Sequence, residues 1–118
     1  MKGDEDMLTV DALKAFGADT EDAVARCMGK EDFYLMLVNK AIDDTNYEKL
    51  GDAVARKDYE AGFSAAHALK GIITNLSLTP MVRPVTEITE LLRNNTDTDY
   101  SGLLDDIEAQ RSKLEALR

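Results

Sequence analysis

Ala61-Gly62-Phe63-Ser64-Ala65-Ala66-His67-Ala68-Leu69-Lys70-Gly71-Ile72-Ile73-Thr74-Asn75-Leu76 is the stretch on which the fold turns. Its apolar residues recur with the period of a helix, and at about 100° per residue the faces can be drawn. Leu69 and Leu76 lie almost opposite His67. Gly62, Ala65, Ala66, Ile72 and Ile73 spread to either side of the two leucines, so one apolar arc must face a bundle interior. The remaining face holds Glu60, Ser64, His67, Lys70, Gly71 and Thr74. The chain's only histidine therefore stands in the middle of a polar stripe and points at solvent.

The helical period continues on both sides of that stretch. Leu8 to Phe16 reads as a short helix ending on Gly17, a natural C-cap residue. Thr20 followed by Glu21, Asp22 and Ala23 reads as an N-cap with an acidic first turn, opening a second short helix to about Met28. From Lys30 to about Asp43, Phe33, Leu37, Ala41 and Tyr34, Val38, Ile42 form two adjacent i, i+4 rows and one broad buried face. Asp44-Thr45-Asn46 interrupts the pattern, and Tyr47, Leu50 and Val54 resume it to Arg56. Asp58 is placed to cap the histidine helix. Beyond it, Ser77-Leu78-Thr79-Pro80 predicts a loop with Thr79 as N-cap and Pro80 as the first residue of a new helix. Pro84 is expected within the first turn or so of that helix, where a missing N–H costs little. Val82, Val85, Ile88, Leu91 and Leu92 supply its apolar face, and Asn94-Asn95-Thr96-Asp97 ends it. A last helix from about Asp99 uses Leu103, Leu104, Ile107, Leu114 and Leu117. Short connections between amphipathic helices imply antiparallel neighbours. The expected fold is all-α: an antiparallel up-down four-helix bundle with additional short N-terminal helices, one domain over 1–118 with its core at about 8–117.

Composition agrees with a small globular domain and removes several function classes. Hydrophobic residues make up 44% and charged residues 31% of the 118, enough apolar surface for one core. Two Pro and seven Gly are too few turn residues for an all-β chain. The apolar runs are too short to span a bilayer, and the acidic N-terminus lacks the apolar core of a secretion signal. A single cysteine, Cys27, permits no internal disulfide and fits a reducing compartment, so a cytoplasmic location is expected. Fourteen basic against 23 acidic side chains give −9, the wrong sign for neutralising nucleic-acid phosphates or docking on an anionic membrane surface. One His and one Cys cannot build a zinc site without several carboxylates, and no segment has that spacing. No Gly-rich phosphate loop is visible, so no cofactor is expected, and any phosphate must arrive already activated.

The polar stripe can still do chemistry. An imidazole, with an ordinary pKa of about 6.5, is mostly neutral and nucleophilic at cytosolic pH. Lys70 follows His67 by three residues on the neighbouring row, and helical side chains lean toward the N-terminus, so its ammonium can reach a phosphoryl group on the ring. There it would offset phosphoryl charge in ground and transition states. Gly71 costs the helix about 1 kcal/mol relative to Ala with no packing reason on an exposed stripe. Its functional meaning is clearance for another protein's approach to the ring. Phe63, one turn before His67 on the polar side, either shields the helix flank or offers an apolar docking contact to a partner. Ser64 and Thr74 flank the same surface.

Ala65-Ala66-His67-Ala68-Leu69-Lys70-Gly71 resembles the His-x-x-Lys-Gly signature of histidine-containing phosphotransfer (HPt) domains. Leu50…Ala53-Val54…Lys57-Asp58-Tyr59…Phe63 looks like the helix and turn preceding the histidine helix in that family. Asn75-Leu76-Ser77-Leu78 is similar to its continuation, and Ala25-Arg26-Cys27-Met28-Gly29…Phe33-Tyr34 looks like the start of free-standing bacterial members. The resemblance covers roughly residues 8–117. It implies a four-helix bundle in which His67 is the phosphoacceptor, Lys70 the electrostatic helper and Gly71 the clearance residue. It further implies that phosphate comes from the aspartate of one response-regulator receiver domain and passes to another, with a hybrid sensor histidine kinase upstream. Mg²⁺ is then expected only on the receiver, and the carrier as a monomer. Many members have small residues after the glycine where this chain has Ile72 and Ile73, which predicts fuller core packing. Some members also bond the histidine ring from the following helix; Thr86 or Thr89 is the nearest candidate here. Two alternatives stay open: an interaction module that docks a receiver or kinase without accepting phosphate, and a detached phosphoacceptor domain of a chemotaxis-type kinase. The end of the chain at Arg118 with no kinase attached weighs against the latter.

Overall fold

Thr9, Asp19 and Asp58 each turn a side-chain oxygen onto the backbone N–H three residues ahead, at 3.0, 3.2 and 3.1 Å, and a helix starts after each. Such caps satisfy one of the N–H groups that a helix start leaves without a partner. The computed structural model describes residues 8–118, and these form seven helices with no strand among them. α1 spans Val10–Phe16, α2 Thr20–Arg26, α3 Glu31–Ile42 and α4 Asn46–Ala55. α5 spans Tyr59–Asn75, α6 Thr79–Arg93 and α7 Ser101–Ala116. Gly17 closes α1 in the left-handed region at φ 117°, as its sequence position predicts.

Three local expectations are corrected. Thr20 is not an N-cap; Asp19 takes that role, and Thr20 is the buried first residue of α2. Aspartate is the better N-cap residue of the two, and Thr20 is turned inward and buried. Thr79 does not cap α6 either: Leu78 occupies the N-cap, Pro80 is second in the helix, and the Thr79 hydroxyl donates to the Ser77 carbonyl at 3.3 Å. Leu78 is buried at 1% exposure, so its packing outweighs the lost cap. Pro84 lies inside α6 beyond its first turn, and it is buried. The missing N–H there is tolerated because the ring fills core space.

α4 to α7 run up and down through short connections, with α5 packed between α4 and α6, and α7 against α6. Small residues let α5 approach both neighbours. Gly62 faces α6, where an added Cβ would meet the Leu92 methyls at 3.3 and 3.4 Å, and Ala65 and Ala66 are buried beside it. Leu69 and Ile73 then fill the interior with Leu50 of α4 and Met81, Val85, Ile88 and Leu92 of α6. Each such side chain contributes roughly 1.5–3 kcal/mol by leaving water. Ile73 is fully buried, as its inward angle requires, whereas Ile72 is only half-buried at the edge of the core. Arg111 of α7 closes the bundle: it donates to the Ile42 carbonyl, pairs with Glu48 at 2.9 Å and lies 4.3 Å over the Tyr47 ring.

The N-terminal helices cover the end of α5. Arg26 donates to the Thr74 and Asn75 carbonyls at 3.0 Å each and pairs with Asp22 at 2.7 Å. Tyr34 donates to the Leu76 carbonyl and Ser77 donates to Asp22, at 3.0 and 3.1 Å. A cation on the last carbonyls of a helix meets both their unfilled hydrogen bonds and the negative end of its dipole. The buried face of α3 is narrower than its two apolar rows predict. Tyr34, Val38, Ala41 and Ile42 are buried, but Phe33 is 46% exposed because that row runs along the edge of the contact.

Candidate functional site

α5 presents the two faces drawn from its sequence. Gly62, Ala65, Ala66, Leu69 and Ile73 are buried, whereas Glu60, Ser64, His67, Gly71 and Thr74 are exposed. His67 stands near the middle of the helix, away from fraying ends, on a backbone gripped by α4 and α6. A nucleophile on such an element keeps its place while a partner docks.

Lys70 is half-buried one turn along from His67, and it has no ion-pair partner among the described residues. Its charge is thus available for an anion on the imidazole. Gly71 is an ordinary helical residue, and a Cβ placed on it would meet nothing within 4 Å. The fold itself does not require glycine there. Ser64 opens toward α4 along a shallow groove lined also by Asn46, Lys49, Asp52, Arg56 and Ala61. Thr74 lies at the far end of the stripe, its carbonyl held by Arg26.

Neither Thr86 nor Thr89 bonds the imidazole. Thr89 is fully buried and its hydroxyl donates to the Val85 carbonyl at 2.6 Å, an intrahelical bond that removes it from the surface. Thr86 is half-buried with no hydrogen bond to the ring. Phe63 lies beside the imidazole instead. The two rings stack with centroids 5.4 Å apart and planes 21° from parallel. From α6, the Arg93 guanidinium carbon lies 4.9 Å over the same phenyl ring, and Arg93 also pairs with Glu90 at 3.3 Å. Stacked pairs contribute about 0.5–1.5 kcal/mol and exposed cation–π contacts about 0.5–1 kcal/mol. The i, i+4 spacing of Phe63 and His67 was a readable signal for the first contact. Arg93 was not readable, because its position depends on how α6 registers against α5.

The arrangement offers an exposed imidazole, an uncommitted cation one turn away, and open space above a glycine. Among the described residues no helix is long and apolar enough to cross a membrane. Comparison with curated proteins and with solved structures returned no match. Comparison with protein families returned the Hpt domain over residues 43–118. That segment holds α4 to α7 complete, with His67, Lys70 and Gly71 inside it, and is well over half of the chain. This helical bundle therefore belongs to the Hpt domain family, the histidine phosphotransfer modules that meet receiver domains and kinases in phosphorelays.

Proposed function

We propose that the protein is a free-standing phosphorelay intermediate of the bacterial type, in which His67 takes a phosphoryl group from a receiver aspartate and delivers it to a second receiver. The exposed His67 beside uncommitted Lys70 and open Gly71, on a helix held from both sides, carries this reading. An unprotonated ring nitrogen attacks the phosphorus of the aspartyl phosphate. The bond from phosphorus to the carboxylate oxygen breaks, the carboxylate leaves, and a nitrogen–phosphorus bond forms. The other ring nitrogen then gives up its proton to water. Transfer onward reverses these steps on a second aspartate. Little covalent machinery is needed, because such transfers depend on positioning and charge. Lys70 draws the phosphoryl oxygens toward the ring, and Gly71 lets the receiver's loop reach it. Ser64, Thr74 and the outer edge of Phe63 form the rim that the receiver touches. Mg²⁺ belongs to the receiver in this scheme, the carrier acts as a cytoplasmic monomer, and a hybrid sensor histidine kinase supplies the first receiver.

The test is transfer of label from phosphorylated receiver domains. Wild-type protein should become labelled within one turnover and lose the label to a second receiver, and His67→Gln should never acquire it. A wild-type protein that stays unlabelled across a panel of receivers, while still binding one of them, would instead be a docking module.

A further inference from the structure

An exposed histidine whose ring makes no hydrogen bond is ordinarily free to sample several rotamers. His67 has no hydrogen bond to either ring nitrogen among the described residues, yet its ring is in contact with its own chain. Phe63 stacks on it at 5.4 Å, and Phe63 is itself half-buried against the core and met by Arg93 at 4.9 Å from the neighbouring helix. Arg93 is held in turn by Glu90. The result is a continuous series from α6 to the imidazole: carboxylate, guanidinium, phenyl, imidazole. A planar guanidinium suits such a place because it can lie on a ring while its N–H groups still reach a carboxylate.

We propose that Phe63 and Arg93 are positioning residues for the phosphoacceptor. Arg93 keeps the Phe63 ring against the flank of α5, and that ring confines the imidazole to one plane, which limits the directions in which the attacking nitrogen is presented to two orientations related by a half-turn. This rests on His67 being the phosphoacceptor. It assigns to an aromatic stack the task that a hydrogen bond from the following helix would otherwise perform. It also gives Phe63 a part beyond the docking rim. Loss of the stack frees one side chain's rotamers, which should slow the transfer step by about threefold to tenfold. Arg93 lies outside the receiver's rim, so Arg93→Ala should slow transfer without moving the half-saturating concentration, whereas Phe63→Leu also trims the rim and should raise it.

The experiment uses the full chain as wild type, Phe63→Leu, Phe63→Tyr and Arg93→Ala. Imidazole proton shifts are read by NMR on the unphosphorylated proteins, and single-turnover labelling is measured against receiver concentration. In wild type the imidazole protons should carry a ring-current displacement, which Phe63→Leu abolishes, Arg93→Ala reduces and Phe63→Tyr retains. Maximal labelling rates should follow the same order, with half-saturation unchanged in Arg93→Ala. Three results would overturn the inference. One is imidazole shifts indifferent to Phe63→Leu. Another is an effect confined to half-saturation, which would make Phe63 a docking contact alone. The last is Phe63→Tyr behaving like Phe63→Leu. A wild-type chain that no receiver labels removes the phosphoacceptor reading and the positioning role together, whereas normal labelling with no variant effect removes the positioning role only.

Discussion

Replacing Gly71 by Ala should stabilise the protein and impair its function at once. A Cβ at this position meets no atom within 4 Å, and the residue sits inside α5 with ordinary helical backbone. Relative to glycine, alanine loses less backbone entropy on entering a helix, so the folded state should gain about 0.5–1 kcal/mol. For a domain of this size, that raises the melting temperature by about 2–4 °C. Gly51, equally open within α4, provides the stability control and should show a comparable gain as Gly51→Ala. Gly62→Ala should gain less than either, because its Cβ would press on Leu92 at 3.3 Å. Transfer should move the other way. If a receiver's backbone comes into contact above Gly71, one methyl must overlap it, and overpacking costs about 1–3 kcal/mol. At about 1.4 kcal/mol per tenfold, labelling at limiting receiver concentration should fall roughly fivefold to hundredfold. Thermal melts and single-turnover labelling on the same preparations check both signs. A Gly71→Ala protein that melts higher yet transfers at the wild-type rate would refute the clearance argument, and one that melts lower would refute the open-space argument.

Other expected outcomes concern the frame that holds the site. Arg26→Ala removes two bonds to the α5 carbonyls and the pair with Asp22, and should lower stability by about 1–2 kcal/mol in urea titrations. Asp58→Ala uncaps α5 and should cost about 1 kcal/mol, with Asp58→Asn recovering most of it. Burial pushes Tyr34 and Tyr47 up to about 12. Their folded values lie above the ordinary value of 10.0, so their contribution to stability is complete below about pH 10 and is lost as the pH rises toward 12. Phenolate absorbance followed together with circular dichroism should show these two tyrosines ionising only as the helices melt. Ionisation of all four tyrosines near pH 10 with the helices intact would contradict their burial.

The histidine helix was legible because its two faces differ sharply at the helical period. Leu69 and Ile73 could only turn inward, which left His67, Gly71 and Thr74 outside. Where two neighbouring residues could both do the same job, the outcome was set by packing. Asp19 and Thr20 can each cap a helix, and burial of Thr20 decided between them. Leu78 displaced Thr79 for the same reason. Phe33 sits on a good apolar row, but its exposure depends on how far the neighbouring helices extend. The sequence offers a hydroxyl on the following helix, Thr86 or Thr89, as the ring's companion, while the structure places an aromatic one turn back on α5. Arg93 reaches it only through the pairing of α5 with α6, which local pattern does not encode.

The ties between the N-terminal helices and the end of α5 have a consequence for the order of folding. Arg26, Tyr34 and Asp22 reach partners 42 to 55 positions away, whereas α4 to α7 pair through neighbouring hairpins. Contacts between near neighbours in sequence form sooner, because less chain must be closed into a loop. On the ribosome the order of synthesis runs against this. Residues 8–42 emerge before their partners at Thr74, Asn75, Leu76 and Ser77 are made. α1 to α3 must wait for the last turn of the histidine helix, and refolding should show their attachment as the final phase.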